Sequence, residues 1–398
     1  MMTRPPVRVA VIGTGFMARM HAQAWRTAHR FFDLPGEPVL QLLAGRDADR
    51  TRRAAEALGF AESTTRWEEA VSRPDIDLVD ICTPGDLHEP VAVAALEAGK
   101  HVLCEKPLAN DVAAADRMAD AADRAAARGV VAMCGFSYRR TPALALARRL
   151  IQAGRIGRVR HVRAQYLQDW LSDPEAPFTW RLDRRQAGSG TLGDIGAHSI
   201  DTAQWLLGDH ITDVSARLRT FVESRPALSE QVGLGGRAGA GATRMPVTVD
   251  DAVAITAEFD GGALGVFEAT RLATGHRNSN RIEVNGEDGS IAFDFRAMNE
   301  LEFYDAHDPA GEQGFRRIQA NEPEHPYAGA WWPPGHGLGY EHLFTHQAAD
   351  LIRAVGGAGT ASPSFADAAR VQRVLAAVEH SAHHDSVRTR VHTDQGEQ

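Results

Sequence analysis

The sequence predicts an α/β protein in two parts: a doubly wound parallel sheet, then an α+β half carrying a large open, mainly antiparallel sheet. Three observations predict it. A glycine-rich turn, "GTGFMA" at 13–18, stands between a β-branched run, "VRVAVI", and an amphipathic stretch. Strand-like and helix-like segments then alternate at short spacing as far as residue 136. Beyond that point the strands lengthen, alternate apolar with polar residues, and are joined by "DGG" and "EDGS" turns.

Residues 7–12 read as the first strand, and Gly13, Gly15 and Ala18 form a G-x-G-x-x-A pattern at the start of a helix. Gly13 permits the tight turn. Gly15 lets the backbone approach a pyrophosphate held at the helix N-terminus, and a small residue at 18 lets helix and strand pack closely. Phe16 and Met17 belong to this cofactor loop, and with Met20 and Trp25 are expected to pack on the sheet. Strands follow at 39–45, 76–84, 101–107 and 130–136, with helices at 48–60, 88–100 and 111–129. This is a Rossmann arrangement over 1–136, in which ligands bind beyond the carboxyl ends of the strands. Thr83, Pro84, His88, Glu105 and Lys106 fall on that rim and are expected at the cofactor. At the end of the second strand, "AGRD" puts Gly45 where NAD enzymes usually carry an acid. Arg46 then suits a 2′-phosphate, although Asp47 is close enough to serve a ribose. The expected cofactor is NAD or NADP, with NADP slightly favoured.

Of 43 lysines and arginines, two are lysines, Lys100 and Lys106. Where arginine has replaced nearly every basic residue, a surviving lysine points to something a guanidinium cannot do, such as titrating near neutrality. Lys100 follows Gly99 at a helix end, where a cation suits the dipole. Lys106, between Glu105 and Pro107, has no such local use, and a cis bond before Pro107 would fix its direction.

The second part, 137–398, is read as a substrate-binding domain, with a glycine-rich surface loop at 233–246. Its chemistry concentrates in "GSGTLGDIGAHSIDTAQWLLG", 188–208, a helix from about Asp194. Asp194, His198 and Asp201 share one face at spacings of four and seven. A carboxylate one turn before an imidazole orients it as a general base. The same spacing also fits a capping aspartate and a packed core histidine. "EPEHPYAGAWWPPGHGLGYEH", 322–342, sets Tyr327, Trp331, Trp332 and Tyr340 among prolines and glycines. It reads either as a cover for the sheet or as a wall of the substrate site.

Charged residues at 24%, hydrophobic ones at 43% and a net charge of −9 without a basic block argue against a nucleic-acid partner. Cys82, Cys104 and Cys134 carry no metal or disulfide spacing, and no segment approaches membrane-spanning length, so a cytoplasmic, metal-free protein is expected.

Together "GTGFMA", "CTPGDLH", "EKPLA" and "GDIGAHSID", in this order, resemble the Gfo/Idh/MocA oxidoreductase family. "YRRTPA", "YLQDW", "WRLD", "AGSG" and "GLGYEH" are similar to its anhydrosugar, sugar and inositol dehydrogenases. The resemblance implies that Lys106, Asp194 and His198 are the catalytic lysine, aspartate and histidine. It implies hydride transfer between a secondary alcohol of a sugar or polyol and a nicotinamide, with Tyr138, Asp169, Trp170, Trp180 and Arg181 completing the substrate pocket. It also implies a homodimer or homotetramer formed through the open sheet. Two alternatives are a glycoside hydrolase using the same redox centre and a non-catalytic dinucleotide-binding protein.

Overall fold

The computed structural model describes residues 4–232, 235–239 and 241–392. The chain forms two compact units, Met1–Ser137 with Gly339–Ala369, and Tyr138–Leu338 with Arg370–Gln398.

The first unit contains β1 (Pro6–Ile12), α1 (Phe16–Phe31), β2 (Glu37–Ala44), α2 (Ala48–Leu58), β3 (Glu62–Thr64) and α3 (Trp67–Ser72). There follow β4 (Leu78–Ile81), α4 (His88–Glu97), β5 (His101–Cys104), α5 (Val112–Ala126) and β6 (Ala132–Cys134). The strands are ordered β3-β2-β1-β4-β5-β6 and all pair in parallel. Val9, Ala10, Val11, Leu78, Val79 and Ile81 are fully buried, as strands covered on both faces must be. The order reverses between β1 and β4, which opens a crevice at their carboxyl ends. The strand expected over 76–84 is confined to Leu78–Ile81, and the short β3 and α3 were not anticipated.

A further segment returns to this unit. The sequence predicts one domain over 137–398, but Gly339–Ala369 groups with the parallel sheet. Here α9 (Tyr340–Val355) packs on α1. The His21 and Phe344 rings lie 5.5 Å apart, and Phe32 meets His346 edge-on at 5.6 Å. The Cys134 N–H donates to the Pro363 carbonyl at 3.0 Å. The apolar face of α1 thus finds part of its cover in residues far along the chain.

The second unit holds α6 (Pro142–Gln152), β7 (Val159–Leu167), α7 (Arg184–Ala187), α8 (Ala197–Leu207) and β8 (Ile211–Arg219). Two small ladders follow. β9 (Ser224–Pro226) pairs with β12 (Arg244–Pro246), and β10 (Leu228–Val232) pairs with β11 (Gly235–Ala238). The stretch 233–246, expected to be a loop throughout, is therefore partly paired; Gly233, Leu234 and Ala240 lie outside the described residues. The remaining strands are β13 (Ala252–Phe259), β14 (Leu264–Thr270), β15 (Ser279–Gly286), β16 (Gly289–Asp294), β17 (Glu300–Asp305) and β18 (Arg316–Gln319). After α10 (Phe365–His383), β19 (Thr389–Arg390) completes a nine-stranded sheet ordered β18-β17-β16-β15-β7-β14-β13-β8-β19. It is antiparallel except for the parallel pair β14–β7. In β13, Val253, Ile255, Ala257 and Phe259 face inward while Ala254, Thr256 and Glu258 face solvent, the alternation of a sheet with one covered face. α6 and α8 pack on the same sheet at β7, β15, β16 and β17. No helix among the described residues is long and apolar enough to cross a membrane.

Candidate active site and cofactor loop

On the first unit, the turn after β1 is built for close approach. Gly13 has φ +124°, and a Cβ there would lie 2.5 Å from the Cys82 carbonyl oxygen, so only glycine fits. Its N–H donates to the Ala44 carbonyl at 2.8 Å, tying the loop to β2. Gly15 is the N-cap of α1, with open space where a Cβ would stand. No side chain caps this helix and no acid lies in its first turn, so its free N–H groups and positive dipole end suit a pyrophosphate. Ala18 is fully buried, as close helix–strand packing requires. Phe16, expected on the sheet, is instead 37% exposed at the mouth of the loop, and Met17 is half-buried. Thr83 and Pro84 follow β4 on the same rim, where the Thr83 Oγ1 is buried with no hydrogen-bond partner among the described residues. Lys106 stands two residues beyond β5, and the Lys106–Pro107 bond is cis.

Two residues expected at the cofactor turn inward instead. His88 is buried, its Nδ1 2.9 Å from the Pro107 carbonyl and its Nε2 3.1 Å from the Thr83 carbonyl. It links the loops after β4 and β5, and burial pushes its pKa down. The Glu105 carboxylate faces His21, 3.1 Å from Nε2. Lys100 fills a structural place, its ammonium donating to the Arg73 and Ile76 carbonyls at 2.8 Å each. His21, Asp80 and Cys82 bring a nitrogen, an oxygen and a sulfur within 4.8 Å of one another, a grouping their sequence spacing does not show. Burial pushes the Cys82 thiol up to about 12, and its sulfur donates toward Asp80 Oδ1 at 3.6 Å.

On the second unit, Asp194 lies not in an α-helix but in a π-helical turn, Leu192–Gly196, which runs into α8. The turn is held from below. Asp250 accepts from the N–H groups of Gly190 (2.7 Å) and Leu192 (2.8 Å), and Thr191 Oγ1 donates to the Asp251 carbonyl at 2.8 Å. A Cβ at Gly190 would collide with the Asp250 carbonyl oxygen, so the approach requires glycine. Burial raises the Asp250 pKa while Arg271 and the two N–H donors oppose it.

Arg271, which no motif in the sequence marks, gathers the pocket residues. It is fully buried, donates to Asp194 Oδ2 at 3.3 Å and to the Asp250 carbonyl at 3.3 Å, and lies over the Trp170 ring at 5.8 Å. Arg181 lies over Trp180 at 4.4 Å. Burial lowers its pKa, with Asp194 opposing and Arg271 assisting. Trp170, Trp180, Arg181 and Asp194 therefore form one neighbourhood. His198 is buried on α8 with Tyr138 edge-on at 4.8 Å and Tyr166 at 6.1 Å. The Tyr138 hydroxyl meets that of Tyr166 at 2.6 Å, and Tyr166 donates to Asn278 at 2.8 Å. Gln168 also donates to Asn278 at 2.8 Å and accepts from the Trp170 indole at 3.0 Å. This chain joins the histidine to the tryptophan side.

Two aspartates are engaged by other groups. Asp169 accepts from the Gly275 N–H at 3.2 Å and fastens a loop. Asp201, expected on the catalytic face, is buried and holds Arg139, whose Nε donates at 2.8 Å. In the 322–342 segment, Trp331 and Trp332 lie 6.1 Å apart, with Trp332 exposed.

A parallel sheet ordered 3-2-1-4-5-6 with a glycine loop at an uncapped helix defines a dinucleotide-binding protein. Residues 7–135 match the oxidoreductase family, NAD-binding Rossmann fold, and 144–292 match the GFO/IDH/MocA C-terminal domain. Levoglucosan dehydrogenase of Pseudarthrobacter phenanthrenivorans is 41% identical over 383 residues, covering 96% of this chain and 97% of that enzyme. An oxidoreductase domain protein of known crystal structure from Kribbella flavida is 56% identical, with a TM-score of 0.92 over 98% of this chain and 100% of that one. Levoglucosan dehydrogenase in complex with NADH is 39% identical, with a TM-score of 0.91 over 98% and 100%. The chain belongs to the Gfo/Idh/MocA family of oxidoreductases.

Proposed function

We propose that the chain is a nicotinamide-dependent dehydrogenase acting on a secondary alcohol of a sugar, anhydrosugar or cyclitol. The observation that carries this reading is the joint presence of Lys106, Asp194 and His198 on the motifs "EKPLA" and "GDIGAHSID" in a chain 41% identical to an anhydrosugar dehydrogenase. Gly13, Gly15 and the N-terminus of α1 would hold the pyrophosphate. When bound, the nicotinamide accepts or returns the hydride. His198 takes the proton from the substrate hydroxyl, and Asp194, itself held by Arg271, orients the alcohol and favours the charged imidazole. Lys106 donates a hydrogen bond to the reacting oxygen and stabilises negative charge there. Trp170, Trp180 and Arg181 line the sugar. Incubation with a panel of sugars, anhydrosugars and polyols should form reduced cofactor with at least one class. Free aglycone with no net reduced cofactor would point to glycoside hydrolysis, and no turnover with any substrate would overturn the enzyme reading.

For the cofactor we propose that both NAD and NADP are accepted. Asp47 caps α2, accepting from the Arg50 N–H at 2.7 Å. A Cβ at Gly45 would collide with the Thr51 hydroxyl and crowd Thr14, so an acid there would need both to move. Asp47 is thus engaged at its helix and position 45 carries no acid, while Arg46 is exposed and able to meet a 2′-phosphate. The NADH held by the 39% identical enzyme speaks for NAD, and the slight preference for NADP drawn from the sequence gains no support from it. Arg46→Ala should raise KM for NADP far more than for NAD. Equal effects on both would make the arginine a solvated surface charge.

The open sheet face exposes Leu264 (47%) and Val266 (40%), and we propose that it joins copies of the chain in a dimer or tetramer. A monomeric mass in sedimentation would exclude this. A cytoplasmic location fits three free cysteines.

A further inference from the structure

We infer that His21 is a positioning residue: as an imidazolium it ties together the carboxylates of Asp80 and Glu105, and so holds the turn that carries Lys106. The inference rests on the role proposed for Lys106. His21 Nδ1 lies 2.9 Å from both Asp80 oxygens, and Nε2 lies 3.1 Å from Glu105 Oε1. Ionised carboxylates only accept, so both ring nitrogens must donate, which requires the doubly protonated ring. Asp80 and Glu105 are almost wholly buried, 0% and 5% exposed, and two such carboxylates need a cation.

Side chains from its own helix and from neighbouring elements surround the His21 ring. From its own helix, Trp25 Nε1 donates to Asp80 Oδ2 at 2.7 Å. Asp80 comes from β4, and Cys82 just beyond it lies 3.5 Å from Nδ1. Glu105 follows β5, and α9 presents the Phe344 ring at 5.5 Å. Glu105 raises the pKa of His88 on α4 against the larger effect of burial. Burial alone would push the His21 pKa down, yet Asp80 holds it well above the ordinary value.

Glu105 is the mechanical link to the lysine. Its N–H donates to the Ile81 carbonyl at 3.0 Å, and its side chain rests on Gly135, where a Cβ would lie 2.6 Å from Oε1. With backbone and carboxylate both anchored, the adjoining Lys106 inherits a fixed starting point. Glu105 is thus conformational support rather than a cofactor ligand.

The test is His21→Gln, which keeps size and loses charge. Turnover should fall about 10–100-fold near pH 8, the scale of a small misplacement of a catalytic group, while the Kd for NADH changes little. With the cation gone, burial and like charge raise the carboxylates' affinity for a proton. The ratio of variant to wild-type kcat should therefore rise as pH falls from about 8 to about 6. Adding Glu105→Gln removes the repulsion, so the double variant should be no slower than His21→Gln alone. A deficit equal at every pH, with additive double-variant effects, would reduce His21 to packing and overturn the inference. Should His21→Gln not fold, nitrogen chemical shifts of the NADH-bound wild type decide instead. A neutral His21 ring at neutral pH overturns the proposal, and a charged ring supports it. If the wild type oxidises no member of the panel, the functional reading fails, while ring protonation and the coupling of His21 to Glu105 in thermal melts still decide this one.

Discussion

Lys106→Arg should lower kcat on the order of 10²–10³-fold, the loss typical of removing one well-placed donor to a charged oxygen. The substitution keeps the positive charge, so a purely electrostatic role would survive it. A guanidinium is planar, longer and permanently protonated, and it cannot place a compact ammonium on one oxygen. NADH affinity should be preserved, because Gly13, Gly15 and the uncapped start of α1 do not depend on the lysine. Titration of NADH fluorescence alongside steady-state kinetics separates the two effects. Near-normal turnover in the arginine variant would remove Lys106 from the catalytic group.

His198→Ala should slow turnover by about 10²–10⁴-fold, the usual worth of a positioned general base. An imidazole that already carries a proton cannot accept another, so the wild-type rate should fall on the acid side. That limb should disappear in the variant. Because His198 packs against Tyr138 and Tyr166, truncation also loosens the interior. Melting curves on the same variant separate that loss from the chemical one. An acidic limb that persists unchanged would assign the titration to another group.

The parts of the fold written in contiguous residues were legible. "VRVAVIGTGFMA" encodes strand, turn and helix in one run, and the alternation of β13 and β14 appears directly in "VAITAEF" and "LGVFEAT". Contacts between distant residues were not. Asp194 and Arg271 are 77 residues apart, His21 and Asp80 are 59 apart, and neither pair leaves a periodic trace. The π turn was hidden because the spacing of Asp194 and His198 reads the same whether the backbone closes four or five residues back. Its cause lies with Asp250, 60 residues from Gly190. His88 and Glu105 were placed on the correct rim, but position along a strand does not say whether a side chain turns toward the crevice or the interior. β3 and α3 are too short and too polar to rise above the loop around them.

The return of Gly339–Ala369 to the first unit bears on the order in which the protein can be made. The ribosome releases β1 to β6 early, but α1 then faces solvent with the surface that α9 later covers. Tyr138–Leu338 must be synthesised before that helix emerges, a delay on the order of tens of seconds at ordinary elongation rates. During that interval the nascent first unit shows an apolar face that includes Phe32. A chain arrested after residue 338 should accordingly bind chaperones more persistently than one extended through residue 369, although both carry every strand of the parallel sheet.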